Sequence, residues 1–353
     1  MGQADGISAA TDFGTGGSPD VLTLATRLIG IVNGSWMSQA TRVAGELCIP
    51  DLLADGPKRS EELAASADAD AQALHRLLRA LTTIDIVRER EDGSFELTPM
   101  GGLLRSDTVD SLRSWTMYLG GDPSRLLDAV MKGVSGGMFP SGRPLFDHLH
   151  ENPDLAQRFN KGMAELTRLT ARSVADVYDF SAMSRVADVG GGYGELLAAV
   201  VRANPGITGV LFDLTHAIEA ALPHLERAGV ADRCELVAGS FFEFVPDRID
   251  AYMLKSVIHD WDDERSREIL QNCRSAMSND AKLLLIERII PERFAVSPEH
   301  QMLARTDLNM LVTLGVKERT EAEFVALLDS AGFVTVRTLP AGVGFAIIEA
   351  VRR

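Results

Sequence analysis

The spacing of apolar and polar positions divides the first third of the chain into helical segments and one hairpin. Apolar residues recur at helical spacing from Val21 to about Ile49, and Pro50 is expected to end that pattern. Residues 57–87 predict two further helices, with Ser60 as the cap of the first. A short hairpin follows, and its turn is predicted at residues 91–93, Glu-Asp-Gly. Helices followed by a hairpin are typical of a winged-helix domain, which we place at residues 20–105.

The second half of the chain changes to an alternation of strands and helices. Residues 106–180 are mostly helical in pattern and are interrupted by a loop at 132–144. From residue 185 onward, apolar runs of strand length occur at 185–189, 208–214, 234–238, 249–255, 282–289, 333–339 and 343–351. Helical patterns between most of these runs predict a parallel, doubly wound sheet, which binds ligands at the carboxyl ends of its strands. The last two runs are separated only by Pro340-Ala341-Gly342 and should form an antiparallel hairpin.

These patterns predict an α/β fold with two domains. A Rossmann-like domain covers residues 181–353, the winged-helix domain precedes it, and residues 106–180 form a helical linker region that contributes to a substrate pocket. The length of the chain agrees with this division, since one hydrophobic core rarely serves more than about 250–300 residues.

The charge balance decides between two uses of a winged-helix domain. The formal net charge is −15, whereas binding to nucleic acid or to an anionic membrane needs clustered Lys and Arg. The segment that would read DNA offers only His75, Arg76 and Arg79. A DNA-binding regulator is therefore the weaker alternative, and a dimerisation or packing module is favoured. The segment Val21–Leu47 is apolar over more than one face, which predicts a homodimer.

Cysteine content and the lack of long apolar runs indicate a cytoplasmic protein. Cys48, Cys234 and Cys273 are far apart and form no C-x-x-C pair, so reduced thiols are expected rather than disulfides or a zinc site. No apolar run reaches the length of a membrane span. Residues 1–19 have neither a basic start nor an apolar core, so a disordered tail is expected there and not a secretion signal.

The stretch VADVGGGYGELLAAV at residues 186–200 joins a strand to a helix through a glycine-rich turn. Gly190, Gly192 and Gly194 give G-x-G-x-G, and a glutamate occupies the place where a dinucleotide fingerprint has its last glycine or alanine. Asp213, 19 residues beyond Gly194, closes the next strand, where an acid would hold ribose hydroxyls. A nucleoside without a pyrophosphate is therefore favoured, and S-adenosylmethionine fits that description. A tight structural turn with a surface acid is the alternative.

Further candidates for the cofactor site lie beside this turn and at the next strand end. Asp188 precedes the glycines, and Leu214 follows the acid that closes the second strand. In the segment AGSFFEFVP, Ser240, Phe241 and Phe242 would flank an adenine. We expect one of the two phenylalanines to belong to the core.

The fourth strand carries the clearest sign of catalysis. The segment YMLKSVIHDWDDE places four candidate side chains at the end of this strand, namely Lys255, His259, Asp260 and Trp261. Imidazole has an ordinary pKa of about 6.5 and can accept a proton near neutral pH. Trp261 could stack on adenine or cover the sheet edge. Glu287, near the end of the fifth strand, could orient the His259 ring as the carboxylate of a catalytic triad does, or form a surface salt bridge.

Together these motifs resemble those of the small-molecule O-methyltransferases of plant phenylpropanoid metabolism and bacterial antibiotic biosynthesis. Those enzymes join an N-terminal winged-helix dimerisation domain to a C-terminal class I S-adenosylmethionine domain. The resemblance extends over nearly the whole chain beyond the tail. It is carried by DVGGGYG, LFDL and LKSVIHDWDDE and by two later segments, DLNML at 307–311 and GVKERTEAEF at 315–324.

The resemblance implies how the cofactor is held. The glycines of the turn would line the methionine moiety, Asp213 would bind the ribose hydroxyls, and Phe241 would lie against adenine. Lys255 would contact the cofactor from the fourth strand. The family usually has an acid where this chain has Ser240. A hydroxyl accepts a hydrogen bond without the charge of a carboxylate, so somewhat weaker cofactor binding is expected.

The resemblance also implies the catalytic residues. His259 would be the general base, flanked by Asp260 and Trp261, and Glu287 and Glu318 would orient it. The expected reaction is an in-line attack of an acceptor hydroxyl on the sulfonium methyl group, with S-adenosylhomocysteine as a product and without a metal ion.

The acceptor pocket is expected between the helical linker region and a late helix. Methionines and aromatic side chains there would suit a flat aromatic or polyketide acceptor. The candidates are Trp115, Phe146, Phe159, Asn160, Met163, Met302 and Asn309. Methyl transfer to nitrogen or carbon stays open, as does a non-methylating reaction such as hydroxylation, decarboxylation or cyclisation.

Overall fold

A computed structural model of the chain describes residues 21–118, 123–132, 145, 149, 152–342 and 344–353. The tail expected at residues 1–19 lies outside these ranges. So do Phe146 and all but the first residue of the loop expected at 132–144.

Helices dominate the N-terminal domain, with one hairpin near its end. Its elements are α1 (Val21–Asn33), α2 (Ser35–Glu46), α3 (Ile49–Leu52), α4 (Ser60–Ala67), α5 (Ala71–Thr82), β1 (Val87–Glu89), β2 (Phe95–Leu97) and α6 (Pro99–Gly102). β1 and β2 pair antiparallel, with Val87 opposite Leu97, so the predicted hairpin is confirmed. Leucines of α4 and α5 pack with Ile49 and Phe95 to form the core of this domain.

Three local expectations for this domain need correction. The long helical pattern at its start is broken at Gly34, between α1 and α2, because glycine is a poor helix former. Pro50 lies in the first turn of α3, where no backbone N–H is needed, rather than beyond the helical segment. Ser60 is the first residue of α4 and not its cap, and its hydroxyl lies 3.2 Å from His75 Nδ1.

The helix α1 carries an apolar surface that no described part of the chain covers. Its Leu28, Ile31 and Val32 are 62%, 68% and 69% exposed. Trp36, in the first turn of α2, is 71% exposed. A continuous apolar surface of this kind is typical of an interface between proteins.

A helical region connects the two domains. It contains α7 (Arg113–Tyr118), α8 (Leu126–Lys132) and α9 (Pro153–Val177). The buried carboxylate of Glu165 in α9 accepts hydrogen bonds from Ser114 N and Trp115 N at 3.1 and 2.9 Å. These N–H groups lie at the start of α7 and have no partner within their own helix, so Glu165 fixes α7 against α9. Although α9 has 25 residues, neither it nor any other described helix is long and apolar enough to cross a membrane.

The C-terminal domain alternates strands and helices. Its elements are β3 (Arg185–Val189), α10 (Glu195–Ala203), β4 (Thr208–Asp213), α11 (Thr215–Arg227), β5 (Cys234–Ala238), β6 (Ala251–Lys255), α12 (Asp263–Ala276), β7 (Lys282–Arg288), α13 (Pro298–Leu314), α14 (Glu321–Ser330), β8 (Phe333–Pro340) and β9 (Phe345–Arg352). The bounds of the strands agree with the predicted apolar runs to within two residues.

In the described ranges, these strands form one sheet in the order β5-β4-β3-β6-β7-β9-β8. The pairs are parallel except that β9 runs antiparallel to both β7 and β8. This confirms the doubly wound sheet and its terminal hairpin. Apolar side chains bury both faces of the sheet. Because the strand order reverses between β3 and β6, the crevice for a ligand lies at the carboxyl ends of these two strands.

Candidate active site

The turn after β3 passes through three glycines in the left-handed region of backbone conformation. Gly190, Gly192 and Gly194 have φ angles of 73°, 58° and 82°. A Cβ atom at position 190 would lie 2.8 Å from Val257 Cγ2, so the turn packs closely against the segment after β6. A Cβ atom at position 192 would meet no atom within 4 Å. The turn therefore borders open space at the reversal of strand order.

Asp213 closes β4 with its carboxylate against the glycine turn. Its Oδ2 accepts a hydrogen bond from Gly192 N at 2.7 Å, and its Oδ1 accepts one from Leu214 N at 2.6 Å. A carboxylate can accept about four hydrogen bonds, so Asp213 retains capacity for ligand hydroxyls. Burial raises the pKa of Asp213 from its ordinary value. Leu214 is 45% exposed and adds an apolar side chain to this edge.

Asp188 supports the glycine turn from within the sheet. It is 1% exposed, and its Oδ2 accepts a hydrogen bond from Leu197 N, in the first turn of α10, at 3.2 Å. Burial raises the pKa of Asp188 to about 7. A Cβ atom at position 191 would lie 2.5 Å from Asp188 Cγ. Asp188 therefore joins the turn to α10, and its direct contact with a cofactor stays a prediction.

Three aromatic rings meet beside the glycine turn. Phe242 is enclosed by Arg265, whose Cζ lies 3.5 Å from the Phe242 ring centroid, and by Trp261, whose ring centroid is 4.7 Å away. Phe241 lies 4.9 Å from Phe242 between centroids, and its Cε1 would be 3.5 Å from a Cβ atom at position 190. Ser240 Oγ accepts a hydrogen bond from Phe242 N at 3.3 Å. Phe241 is thus the ring that borders the turn, and Phe242 is the one fixed among neighbouring side chains.

His259 is buried within a group of three carboxylates. It lies in the short 3₁₀ turn Ile258–Asp260, directly after β6, and is 7% exposed. Its Nδ1 lies 3.2 Å from both carboxylate oxygens of Glu318 and 4.0 Å from Glu287 Oε2. Its Nε2 lies 3.4 Å from Asp260 Oδ1. Glu318 is therefore the direct partner of the ring, and Glu287, to which the strand positions pointed, is the more distant carboxylate.

The backbone around the two glutamates holds them in place. Ser256 has a φ of 53°, and after this left-handed residue the next two backbone N–H groups donate to Glu287 Oε1 at 3.1 and 2.9 Å. Glu287 Oε2 is buried and has no hydrogen-bond partner among the described residues. The backbone N–H of Glu318 donates to Asp307 Oδ1 at 2.8 Å, which ties Glu318 to α13.

Arg319 fixes the turn that carries His259. Its side chain is 1% exposed and donates to the backbone carbonyls on both sides of His259 at 2.9 and 2.8 Å. It also pairs with Asp263 at 2.8 Å. Two consecutive residues therefore hold His259: Glu318 contacts its imidazole ring, and Arg319 binds the backbone around it. Arg319 is a functional residue that the sequence pattern did not single out, although it directly follows an expected orienting glutamate.

The charges around His259 set its protonation. Burial alone lowers the pKa of His259, but the three neighbouring carboxylates outweigh this effect and raise the pKa to about 9. Burial raises the pKa of Asp260 to about 7 and raises that of Glu287 as well. Burial would also raise the pKa of Glu318, but the charge of His259 brings it below its ordinary value. Near neutral pH the cluster thus contains an imidazolium beside an ionised Glu318. No three His, Cys, Asp or Glu side chains in the described ranges are arranged to hold a metal ion, and a metal-independent reaction stays a prediction.

Two cations lie over one aromatic ring at the ends of β6 and β7. Lys255 Nζ lies 4.6 Å, and Arg288 Cζ 4.1 Å, from the ring centroid of Phe345 at the start of β9. Lys255 Nζ also donates to Ser256 Oγ at 3.2 Å. Burial, and then the charge of Arg288, lower the pKa of Lys255 to about 8. The sequence analysis identified Lys255 and missed Arg288.

The acceptor candidates on α7 and α9 lie together. The ring centroid of Tyr118 is 6.0 Å from that of Trp115 and 5.3 Å from that of Phe159. Asn160 makes a hydrogen bond with the Tyr193 hydroxyl, and Tyr193 belongs to the glycine turn. Asn160 therefore links α9 to the predicted cofactor site.

The remaining acceptor candidates are more scattered. Met163 is half-buried on α9. On α13, Met302 Cε would lie 2.5 Å from a Cβ atom at position 344, and Asn309 Oδ1 lies 3.4 Å from Thr313 Oγ1. Phe146 falls outside the described residues. A pocket that joins all these side chains stays a prediction.

Tyr118 is a further residue that the sequence analysis missed. Burial raises its pKa, and the charge of Asp260 raises it further, so the Tyr118 hydroxyl lies within range of the charge of Asp260. Tyr118 follows Trp115 by three residues, a spacing that puts both on one helix face. That spacing was the signal that could have identified it.

Comparisons with known proteins give matches over most of the chain. A family model described as an O-methyltransferase domain matches residues 124–334, and one described as an O-methyltransferase dimerisation domain matches residues 29–107. The chain is 42% identical over 332 residues to a phenazine O-methyltransferase of Lysobacter antibioticus, which covers 93% of this chain and 96% of the relative. It is 36% identical over 316 residues to an 8-amino-8-demethylriboflavin N,N-dimethyltransferase of Streptomyces davaonensis. That match covers 86% of this chain and 88% of the relative.

The fold also matches solved methyltransferase structures. One is an O-methyltransferase from neocarzinostatin biosynthesis, in complex with S-adenosylmethionine and 2-hydroxy-5-methyl naphthoic acid. The TM-score is 0.73 at 30% identity, and the match covers 90% of this chain and 96% of that one. The chain therefore belongs to the O-methyltransferase family that joins a dimerisation domain to a catalytic domain, and it is an S-adenosylmethionine-dependent methyltransferase.

Proposed function

We propose that this enzyme transfers the methyl group of S-adenosylmethionine to a hydroxyl group of a small aromatic or polyketide-like acceptor, with His259 as the general base. The observation that carries the proposal is the contact of His259 Nδ1 with Glu318 at 3.2 Å, at the end of β6 and beside the glycine turn. Relatives whose names specify a phenazine and a naphthoic acid support a flat aromatic acceptor.

The residues around the glycine turn fit S-adenosylmethionine. The open space at Gly192 can take its methionine moiety, Asp213 retains acceptor capacity for ribose hydroxyls, and Phe241 borders the turn where adenine would lie. Ser240 would offer a hydroxyl to the adenine, and Lys255 would meet the cofactor from β6. When bound, S-adenosylmethionine supplies an electrophilic methyl group on a sulfonium.

Glu318 favours the tautomer in which His259 can act as a base. A carboxylate at Nδ1 accepts a hydrogen bond from an Nδ1–H group, which leaves the lone pair of a neutral imidazole on Nε2. A proton taken up at Nε2 would lie beside Asp260 Oδ1, 3.4 Å away. General-base assistance of this kind contributes about 10²–10⁴-fold to a rate.

One observation favours a second candidate, methyl transfer to nitrogen. With a pKa raised to about 9 by its carboxylates, His259 is largely an imidazolium at neutral pH and cannot accept a proton in that state. A neutral amine attacks through its lone pair without prior deprotonation, so it needs the base less than a hydroxyl does. A relative named as an N,N-dimethyltransferase at 36% identity supports keeping this candidate.

We also propose that the enzyme is a homodimer. Support comes from the match to a dimerisation domain and from the exposed apolar surface of α1 and Trp36. One chain has a mass of 38.2 kDa. Light scattering should give about twice that value, and a mass of one chain at micromolar concentration would rule the proposal out.

A mass-spectrometric screen tests the proposed reaction. Wild type and His259→Ala are incubated with S-adenosylmethionine and with matched acceptors that carry either a hydroxyl or an amino group on the same aromatic ring. We expect a methyl gain on the hydroxyl compounds that falls at least a hundredfold in His259→Ala. Calorimetric binding of S-adenosylmethionine to the variant serves as the control for folding.

The other outcomes separate the alternatives. Methyl gain on the amino compounds alone, at equal rates in both proteins, would replace the hydroxyl reaction by the nitrogen reaction. Gain of oxygen or loss of carbon without any methyl gain would overturn both.

A further inference from the structure

The side chains of Lys255 and Arg288, which both lie over the Phe345 ring, place two positive charges beside the predicted acceptor site. The methyl transfer itself does not require them. Arg288 ends β7 directly opposite Phe345 in the strand register, and Lys255 ends the neighbouring strand β6. Both side chains therefore lie at the carboxyl edge of the central strands, the same edge that carries His259.

The guanidinium of Arg288 lacks hydrogen-bond acceptors among the described residues. Its Nε is buried and has no hydrogen-bond partner there. Glu318 and Glu287 act on Arg288 through their charge, while Arg305 repels it, but none of these groups makes a hydrogen bond or ion pair with it among the described contacts. The ring of Phe345, 4.1 Å from Cζ, instead fixes the side chain in place. Buried donors without partners are rare because they cost free energy, so a missing acceptor is indicated.

The chemistry of the pair selects a carboxylate as that acceptor. A guanidinium presents two parallel N–H groups that match the two oxygens of a carboxylate. Lys255 adds a second, compact positive charge on the same ring. An anion between them would relieve the repulsion that contributes to the lowered pKa of Lys255.

The position of the pair points to the acceptor side of the site. Phe345 belongs to the same buried apolar cluster as Ala171 and Val174 of α9, and a Cβ atom at position 342 would lie 3.2 Å from Ser173 Oγ of that helix. The neighbouring residue, Gly344, lies against Met302 of α13. The guanidinium is therefore at the sheet edge that the two candidate acceptor helices cover.

We propose that Arg288 binds a carboxylate group of the acceptor, beside the Lys255 side chain that is assigned to the cofactor, so that the preferred acceptors are aromatic hydroxy acids or amino acids of the same ring class. The inference deepens the proposed function and rests on it. The methionine carboxylate of S-adenosylmethionine has the same chemistry, and the experiment must separate these two sources.

Binding calorimetry with paired probes makes this separation without requiring turnover. The acceptor probes are 3-hydroxy-2-naphthoic acid and its primary amide, and the cofactor probes are S-adenosylmethionine and 5′-methylthioadenosine, which lacks the methionine carboxylate. In Arg288→Gln we expect the Kd of the acid to rise at least tenfold, and the Kd of the amide and of S-adenosylmethionine to change less than twofold. Arg305→Gln, which removes a nearby arginine on α13, should leave all four values within twofold.

Each other result decides against the assignment. A tenfold loss of S-adenosylmethionine affinity in Arg288→Gln, with 5′-methylthioadenosine unaffected, would assign Arg288 to the cofactor carboxylate. Equal Kd values for the acid and the amide in wild type would overturn the site altogether. If Arg288→Gln is unstable, Arg288→Lys keeps the charge but loses the paired N–H groups, and an unchanged preference for the acid would then refute the role of the guanidinium. Because binding is measured directly, an acid that binds through Arg288 but receives no methyl group would refute the proposed function and leave this site intact.

Discussion

Replacing Glu318 by glutamine should move the pH dependence of methyl transfer to lower pH. Glu318 is the carboxylate in direct contact with His259 Nδ1 and contributes most among the groups that raise the pKa of His259 to about 9. Glutamine keeps the shape and a hydrogen-bond acceptor but removes the charge. The pKa of the imidazole should therefore fall toward its ordinary value of about 6.5.

The size of the effect follows from the protonation of the base. Because His259 must be neutral to accept a proton, kcat/KM increases with pH below the pKa of His259. Above that pKa it is constant. With a pKa of about 9, roughly 1% of the wild type is active at pH 7, because each pH unit below the pKa costs about tenfold. The wild-type profile should thus rise about 100-fold between pH 7 and its plateau.

Glu318→Gln should reach its plateau about two pH units earlier. The height of that plateau should fall by about 10²-fold, because a neutral amide, which can donate as well as accept, orients the ring less firmly than the carboxylate does. At pH 7 the two effects oppose each other, and the variant should be closer to wild type there than at pH 9.5.

Initial rates from pH 6 to pH 10 provide the assay, with kcat/KM reporting the pKa of the free enzyme. Two acceptors with different hydroxyl pKa values separate ionisation of the acceptor from that of His259. Glu321→Gln is the matched control. It also removes one negative charge, but from an exposed residue of α14 that lies three residues after Glu318. An identical kinetic pKa in wild type and Glu318→Gln, or a wild-type profile that is flat over this range, would refute the reasoning.

The remaining predictions concern the cofactor site and the frame of the base. Asp213→Asn should weaken S-adenosylmethionine binding about tenfold or more, since hydrogen bonds to a charged group contribute about 1.5–3 kcal/mol; calorimetry with an unchanged Kd would exclude a role in binding. Ser240→Asp should tighten the same binding, and an equal titration curve would remove the idea that the missing acid matters. Gly190→Ala should lower the free energy of unfolding by about 2–4 kcal/mol, from left-handed strain and from overpacking on Val257, as measured by denaturant titration; a stable variant would show that the turn can shift. Arg319→Met removes the shorter hydrogen bonds to the carbonyls of Ile258 and Trp261, which keep the Ser266 hydroxyl as a donor at 3.2 and 3.3 Å. It should cost about 1–3 kcal/mol in the same titration, and no loss would mean that these other contacts suffice to hold the turn around His259.

The architecture of the sheet domain could be predicted because its signals are local. Each strand is an apolar run bounded by a turn, so the bounds agree to within two residues. The errors in the N-terminal domain arose where one residue type permits two structures. Pro50 is as acceptable in the first turn of a helix as beyond its end, and Ser60 can begin a helix as well as cap it.

The candidate site was predictable in its membership but not in its geometry. His259 follows β6 and Glu287 lies near the end of the adjacent strand β7, and so the residue pattern placed them together. Glu318 lies 59 residues beyond His259 and reaches it only because the chain returns through α13, which no local pattern reports; the family resemblance alone suggested it. Arg288 was missed because a charged residue at a strand end usually reaches solvent, and only packing against Phe345 distinguishes it.

The residues that hold His259 and the side chains predicted to line the acceptor pocket come from separate stretches of chain. Glu287, Glu318 and Arg319 lie on or directly after elements of the sheet domain and hold His259 through contacts within that domain. Trp115 and Phe159, by contrast, belong to the helical region that precedes it. Substitutions on the helical side would leave the residues that contact His259 unchanged, except where they move Tyr118, whose pKa responds to the charge of Asp260. Such a separation would let a lineage exchange one acceptor for another through few mutations, and it makes α7 and α9 the natural starting point for directed evolution of new acceptor ranges.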